Sequence, residues 1–155
     1  MNIVEVIGGN KTQREICHKV VSHILSVLLP RYRTLDITVS LKKLHGDALG
    51  YCMMEDNNRT FEIELHNKVG IKELVTNLCH EMVHLKQYAR NEMNDGDVQT
   101  GSAVWKGRKV NPNTDYYNLP WEKEAYRMET CLANSVWVNN VIWLDFVLKT
   151  WYYDS

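Results

Sequence analysis

The stretch IKELVTNLCHEMVHLKQYARNEM, residues 71–93, restricts the fold of this chain more than any other part of it. Gly70 precedes it, and its apolar residues recur at helical spacing. In its middle lie His80, Glu81 and His84, flanked by the apolar Leu78, Met82, Val83 and Leu85. A helix with that composition is partly buried, and polar groups taken out of water need partners. Two imidazoles and a carboxylate must therefore be satisfied by something that packs against this helix.

The spacing suggests what satisfies them. Residues four apart on a helix share a face, about one turn apart. His80 and His84 can thus aim both imidazoles at one point, and zinc accepts histidine nitrogen at about 2.0–2.1 Å. Glu81 is rotated by about 100° from His80 around the helix axis. Its carboxylate can then reach a water beside the metal without being a ligand, which is the mechanical content of His-Glu-x-x-His. The competing reading, a solvated polar face, fits poorly with the apolar residues on either side of the motif.

The rest of the chain reads as a mixture of helices and strands. IVEVI at 3–7 is a short apolar run that suits a first strand, closed by Gly8 and Gly9. TQRE, Thr12 to Glu15, has the form of a capping box, and Ile16, Val20, Ile24, Val27 and Leu28 mark the apolar face of a helix that Pro30 stops. LDITVSL at 35–41 and TFEIEL at 60–65 alternate with a period of two, and ALGYCMM at 48–54 lies between them. Three short strands joined by short turns imply a mainly antiparallel sheet. After residue 93 the chain is polar and irregular, with WKG at 105–107 suited to a small hairpin. Pro120 stands where helices begin, and WEKEAYRMETCLA continues with helical character.

A catalytic zinc takes a third protein ligand and keeps one position open. No histidine follows His84, and the long metalloprotease motif fails because Gln87 and Arg90 stand where it has glycine and histidine. His66 upstream and an acidic residue downstream remain. HEMVH followed, after a loop, by a helix that opens WEKEA resembles the gluzincin group of zinc metallopeptidases. The resemblance implies a glutamate ligand from the second helix, in the pattern Glu-x-x-Ala. Placed on this chain, that is Glu122 with Ala125, and Glu124 is the second choice. The order of a helix, a three-stranded sheet, the motif helix and a ligand helix is also similar to the minimal zincin core of small phage and bacterial metallopeptidases, SprT-like ones included. SprT-like proteins usually use a third histidine, which this chain lacks. Many gluzincins place an aspartate four residues after the ligand glutamate, where it holds a zinc histidine. Tyr126 occupies that position here, so Glu129 or Glu73 becomes the candidate for that task.

The sequence-based expectation is a single α+β domain over residues 1–155, a zincin-like metallopeptidase that binds Zn2+ through His80, His84 and Glu122, with Glu81 as general base. Tyr116, Tyr117 and Tyr126 are candidates to stabilise negative charge on the reacting oxygen, and Trp105 and Trp121 could line a pocket. TFEIEL is the candidate edge strand for a peptide or protein substrate, its Glu62 and Glu64 suited to basic side chains. Rival readings are a non-catalytic zincin-fold binding module and a DNA-associated SprT-like protein. A deformylase-type amidase needs a cysteine ligand in a motif that Cys52, within GYCMM, does not match. The formal net charge is −1, from 18 basic and 19 acidic residues, which argues against nucleic acid as the main partner. Cys17, Cys52, Cys79 and Cys131 form no Cys-x-x-Cys pair and read as reduced thiols of a cytoplasmic protein. The N-terminus lacks the pattern of a secretory signal. The apolar run at 131–148 carries Asn134, Asn139, Asn140 and Asp145, so burial is expected rather than a membrane span.

Overall fold

The computed structural model describes residues 1–94 and 98–142. Three helices and a four-stranded sheet make up an α+β fold, with a two-stranded hairpin on the side. In chain order the elements are β1 (Ile3–Gly8), α1 (Lys11–Leu28), β2 (Asp36–Lys42), β3 (Gly50–Met54), β4 (Thr60–His66), α2 (Ile71–Ala89), β5 (Val104–Trp105), β6 (Arg108–Lys109) and α3 (Pro120–Val138). A 3-10 turn, Tyr116–Asn118, leads into α3.

The start of α1 differs from the expected capping box at Thr12. The cap is Asn10, whose side chain accepts the Gln13 amide at 2.8 Å, while the Gln13 side chain accepts the Asn10 amide at 3.0 Å. The same reciprocal device thus operates two residues earlier, because Gly8 and Gly9, both at positive φ, turn the chain directly into the helix. A Cβ at Gly8 would lie 2.2 Å from the Leu41 carbonyl oxygen, so the turn and the β1–β2 pairing both demand glycine there.

The sheet order is β1-β2-β4-β3. β2 runs parallel to both its neighbours, and only β3 and β4 are antiparallel. The mainly antiparallel, three-stranded sheet expected from short turns is therefore corrected on two counts. The α1 crossover brings β1 in parallel to β2. The connection over residues 43–49 carries the chain past the neighbouring position to the outside, and β4 then returns between β2 and β3. TFEIEL is consequently an interior strand. The edge beside the motif helix is GYCMM, and among the described residues no strand pairs beyond it.

The period-two pattern points Ile37, Val39 and Leu41 of β2 and Phe61, Ile63 and Leu65 of β4 into the core, in register Ile37↔Phe61, Val39↔Ile63 and Leu41↔Leu65. They share one cluster with Ile16, Val20 and Ile24 of α1 and Leu74, Leu78 and Met82 of α2. α3 packs chiefly on α2 and adds Ala125, Leu132, Ala133 and Val136. The hairpin at WKG forms with Lys106 and Gly107 as its turn, both at positive φ, as two-residue hairpins require. Among the described residues no helix is long and apolar enough to cross a membrane. Of the apolar run 131–148, residues 131–138 end α3 and residues 143–148 lie outside the described residues.

Ile63 has no exposed surface and sits in the strand that three elements share. Ile63→Ala is expected to cost about 2–5 kcal/mol of unfolding free energy, measured by urea denaturation.

Candidate functional site

Helix α2 has apolar residues nearly all round, because it is sandwiched between the sheet and α3. That burial encloses the motif: His80, Glu81 and His84 are all close to fully buried. α3 lies across them and places Glu122 in its first turn, where the helix macrodipole favours a carboxylate. His80 Nε2 and His84 Nε2 are 3.2 Å apart, and each is 3.1 Å from Glu122 Oε1. These three residues are the group of metal-ligating side chains that converges among the described residues.

What surrounds the imidazoles determines what the three atoms can hold. His80 Nδ1 is 2.8 Å from Glu129 Oε2. His84 Nδ1 is 2.8 Å from Gln87 Oε1, and the Gln87 amide nitrogen donates to the Trp121 carbonyl at 3.0 Å and to Glu124 Oε1 at 3.2 Å. Both outer partners are acceptors, so each Nδ1 carries hydrogen. In the neutral imidazoles each Nε2 then presents a lone pair to the other and to a carboxylate oxygen. Three acceptors at that separation repel unless cations lie between them, either protons or a metal. For bonds of about 2.0–2.1 Å, tetrahedral ligands lie about 3.3 Å apart, close to the observed triangle. A single divalent ion satisfies all three, whereas two protonated imidazoles would face each other with like charge. The residues fit zinc.

The other expectations sort cleanly. Glu124 does not join the centre: Lys86 Nζ holds its Oε1 at 2.6 Å within the protein. It sits two residues from Glu122 on a helix, and so on a different face. His66 is also elsewhere, its Nδ1 accepting the Leu44 amide at 2.9 Å. Of the two acids considered for orienting a histidine, Glu129 takes the position, two turns along α3 from Glu122 on the same face; Glu73 is exposed in the first turn of α2. Tyr126, in the place of the expected aspartate, lays its ring 4.6 Å from the His80 ring centroid. Cys52 sits in β3 and its thiol is pushed well up, by burial and then by the Glu81 charge.

Sequence reasoning passed over Gln87, noting only that it breaks a longer motif. It is wholly buried and orients His84. The signal available was its position one turn beyond His84 on the same helix. Lys86 was also missed; it closes a buried network with Glu124 and, at 2.8 Å, Glu92.

Glu81 points toward the edge strand. A Cβ at Gly50 would lie 3.2 Å from Glu81 Cγ and 3.1 Å from the Glu64 carbonyl oxygen, so the missing side chain lets the motif helix and β3 approach closely. Burial raises the Glu81 pKa above its ordinary value, the charges of His84 and His80 act against that, and Glu122 and Glu129 add to the rise. A carboxyl shifted in that direction is suited to taking and returning protons. His80 and Glu81 line a cleft of about 400 Å³, together with Gly50, Tyr51, Tyr116 and Tyr126. Burial pushes the Tyr116 hydroxyl pKa up, reinforced by the Glu122 charge and by hydrogen bonds with Tyr126 and Glu122, so it stays a proton donor.

Comparison with protein-family models, with curated proteins and with solved structures gives no match. The functional reading stands on this geometry and its chemistry.

Two outcomes are expected. Gln87→Ala leaves His84 without its acceptor and should weaken zinc binding about 10–100-fold, measured by competition with a chromogenic chelator. The second concerns pH. In the metal-free protein Glu122 is held at about 2, because hydrogen bonds from His80 and His84 outweigh the upward effect of burial. Burial acts to lower both imidazoles, and hydrogen bonding to Glu122 outweighs it, so both lie above the ordinary 6.5. The depressed carboxyl contributes stability above its ordinary 4.5 and loses it as pH falls toward 2. The raised imidazoles contribute fully below 6.5 and lose that contribution as pH rises through their folded values. Metal-free protein should therefore gain most from this cluster between pH 4.5 and 6.5. Zinc, which competes with the imidazole protons, should move the optimum to higher pH. Denaturant melts across pH with chelator or with zinc test this.

Proposed function

We propose that the protein is a zinc-dependent peptidase whose centre is His80, His84 and Glu122, with Glu81 as the general base. The observation that carries the reading is the near-equilateral triangle of His80 Nε2, His84 Nε2 and Glu122 Oε1, each imidazole oriented from behind by an acceptor. Three protein ligands of the His2Glu type, with an open side, belong to catalytic rather than structural zinc sites. The open side here is the cleft that Glu81 lines.

Zinc bound there would acidify a water and polarise a carbonyl as a Lewis acid. The protein supplies the rest. Glu81, buried and with its pKa raised, accepts a proton as the nucleophile forms and returns it to the departing amine. Tyr116, whose hydroxyl stays protonated and is hydrogen-bonded with Glu122, is the candidate to donate a hydrogen bond to the oxygen on which charge develops. Tyr126 and Tyr117 stack next to it, with ring centroids 5.8 Å apart, and form the wall of the cleft. An extended peptide can add itself to the outer edge of β3, which runs beside Glu81. Gly50 leaves room for a backbone to come close at that point.

Chelator-sensitive cleavage of a mixed peptide library is the expected activity. Glu81→Gln should retain zinc and lose about 10²–10⁴-fold or more in turnover, and Tyr116→Phe should lose about 10²-fold with KM little changed. Wild-type protein that binds one zinc yet cleaves no peptide bond in such a library overturns the proposal.

A further inference from the structure

A second compartment adjoins the cleft at the candidate centre. Tyr117 and Tyr126 line both, and the second, more open one has a volume of about 710 Å³. The two compartments carry opposite charge. Around the centre the lining acids are Asp47, Glu81 and Glu129. Beyond the tyrosines the lining holds Lys106, Lys123 and Arg127, with Glu124 as the one carboxylate.

That carboxylate shares one buried lysine with Glu92. Lys86 Nζ, buried, lies 2.6 Å from Glu124 Oε1. Lys106 and Arg127 both approach Glu124 Oε2 only to 3.9 Å, and Lys106 reaches Glu92 at 3.6 Å while Lys86 holds Glu92 at 2.8 Å. The Lys106 side chain is 52% exposed and that of Arg127 75%. Ion pairs that long and that exposed contribute little, so both cations keep donors for an incoming anion. Beside them Trp105 offers an apolar wall, with Lys106 Nζ 5.1 Å from its ring centroid. The hairpin turn that carries Lys106 and the α3 face that carries Arg127 thus bound one basic, aromatic-walled hollow that shares Tyr117 and Tyr126 with the cleft.

We infer that this hollow is a specificity subsite for a peptide carboxylate, received by Arg127 and Lys106 while the adjoining apolar part of the ligand lies on Trp105. The inference rests on the peptidase reading and names its substrate class: peptides with an acidic side chain, or a free C-terminus, a few residues from the bond that is cut. Guanidinium and ammonium groups together give an anion charge-assisted hydrogen bonds. The acids on the other side of the tyrosines repel the same group, which sets the direction in which a peptide lies in the cleft.

The test uses zinc-loaded Glu81→Gln protein and fluorescent octapeptides alike except for Glu, Gln or Lys at one position, scanned along the peptide, each with a free or an amidated C-terminus. A carboxylate should tighten binding about tenfold or more at low ionic strength, and salt should erode the gain. The gain should vanish in Lys106→Ala/Arg127→Ala, persist in the distant Lys11→Ala, and turn into a preference for the Lys peptide in Arg127→Glu. A gain that survives amidation assigns the subsite to an acidic side chain; one that amidation removes assigns it to the C-terminus. Equal binding of all peptides, no binding of any, or a gain unchanged in the double variant overturns the inference. Cleavage by wild-type protein is measured separately: cleavage without charge preference removes the subsite alone, and charge-selective binding without cleavage removes the peptidase reading alone.

Discussion

Three hydrogen-bond acceptors pressed together between two helices dominate this molecule. Nε2 of His80, Nε2 of His84 and Oε1 of Glu122 sit 3.1–3.2 Å from one another in a place that water barely reaches. Such an arrangement is unfavourable by itself, because acceptors stripped of water repel and cost free energy. Apolar contacts tie α2 and α3 together around it, and a cation would satisfy all three atoms at once. The fold is in that sense a clamp whose jaws are two helices, and the sheet is the surface that keeps α2 from turning.

The support around the centre is graded by charge. His80 is backed by a carboxylate, Glu129, and His84 by a neutral amide, Gln87. A carboxylate partner makes the imidazole a stronger donor of electron density than an amide does, so the two imidazoles are not electronically equivalent. Gln87 is in turn fastened to α3 through Trp121 and Glu124, and Glu124 to α2 through Lys86. Three of these polar contacts cross the helix interface. They fix the relative rotation of α2 and α3, which apolar packing by itself would leave less exactly defined.

Much of this was legible in the order of residues. The period-two runs at Ile37 to Leu41 and Phe61 to Leu65 are the two central strands, and the helix through HEMVH has the partly buried character that its apolar neighbours imply. The resemblance to gluzincins named Glu122, with its Ala125, ahead of Glu124, and left Glu129 and Glu73 as alternatives for holding a histidine; packing chose between the members of each pair. The direction of the strands was not legible. Alternation reports which face is buried and says nothing about which neighbour a strand chooses, so TFEIEL looked like an edge when it is flanked on both sides. The cap of α1 at Asn10 was missed because TQRE has a capping form of its own, and the positive φ at Gly8 and Gly9, which starts the helix earlier, is a property of the folded backbone.

The sequence by itself determined the donor types and their spacing: two imidazoles one helical turn apart, a carboxylate beside the first, and a second helix opening with acid. Those follow from the fixed geometry of an α-helix, which places residues four apart on one face in any context. Only the tertiary structure decided which acid meets the histidines, which strand borders the cleft, and that Lys106 and Arg127 share a hollow with Trp105. Each of these depends on how separate elements pack, and residues from 42 to 49 positions away in the chain can be neighbours only after the core has chosen the angle and register at which helices and strands meet.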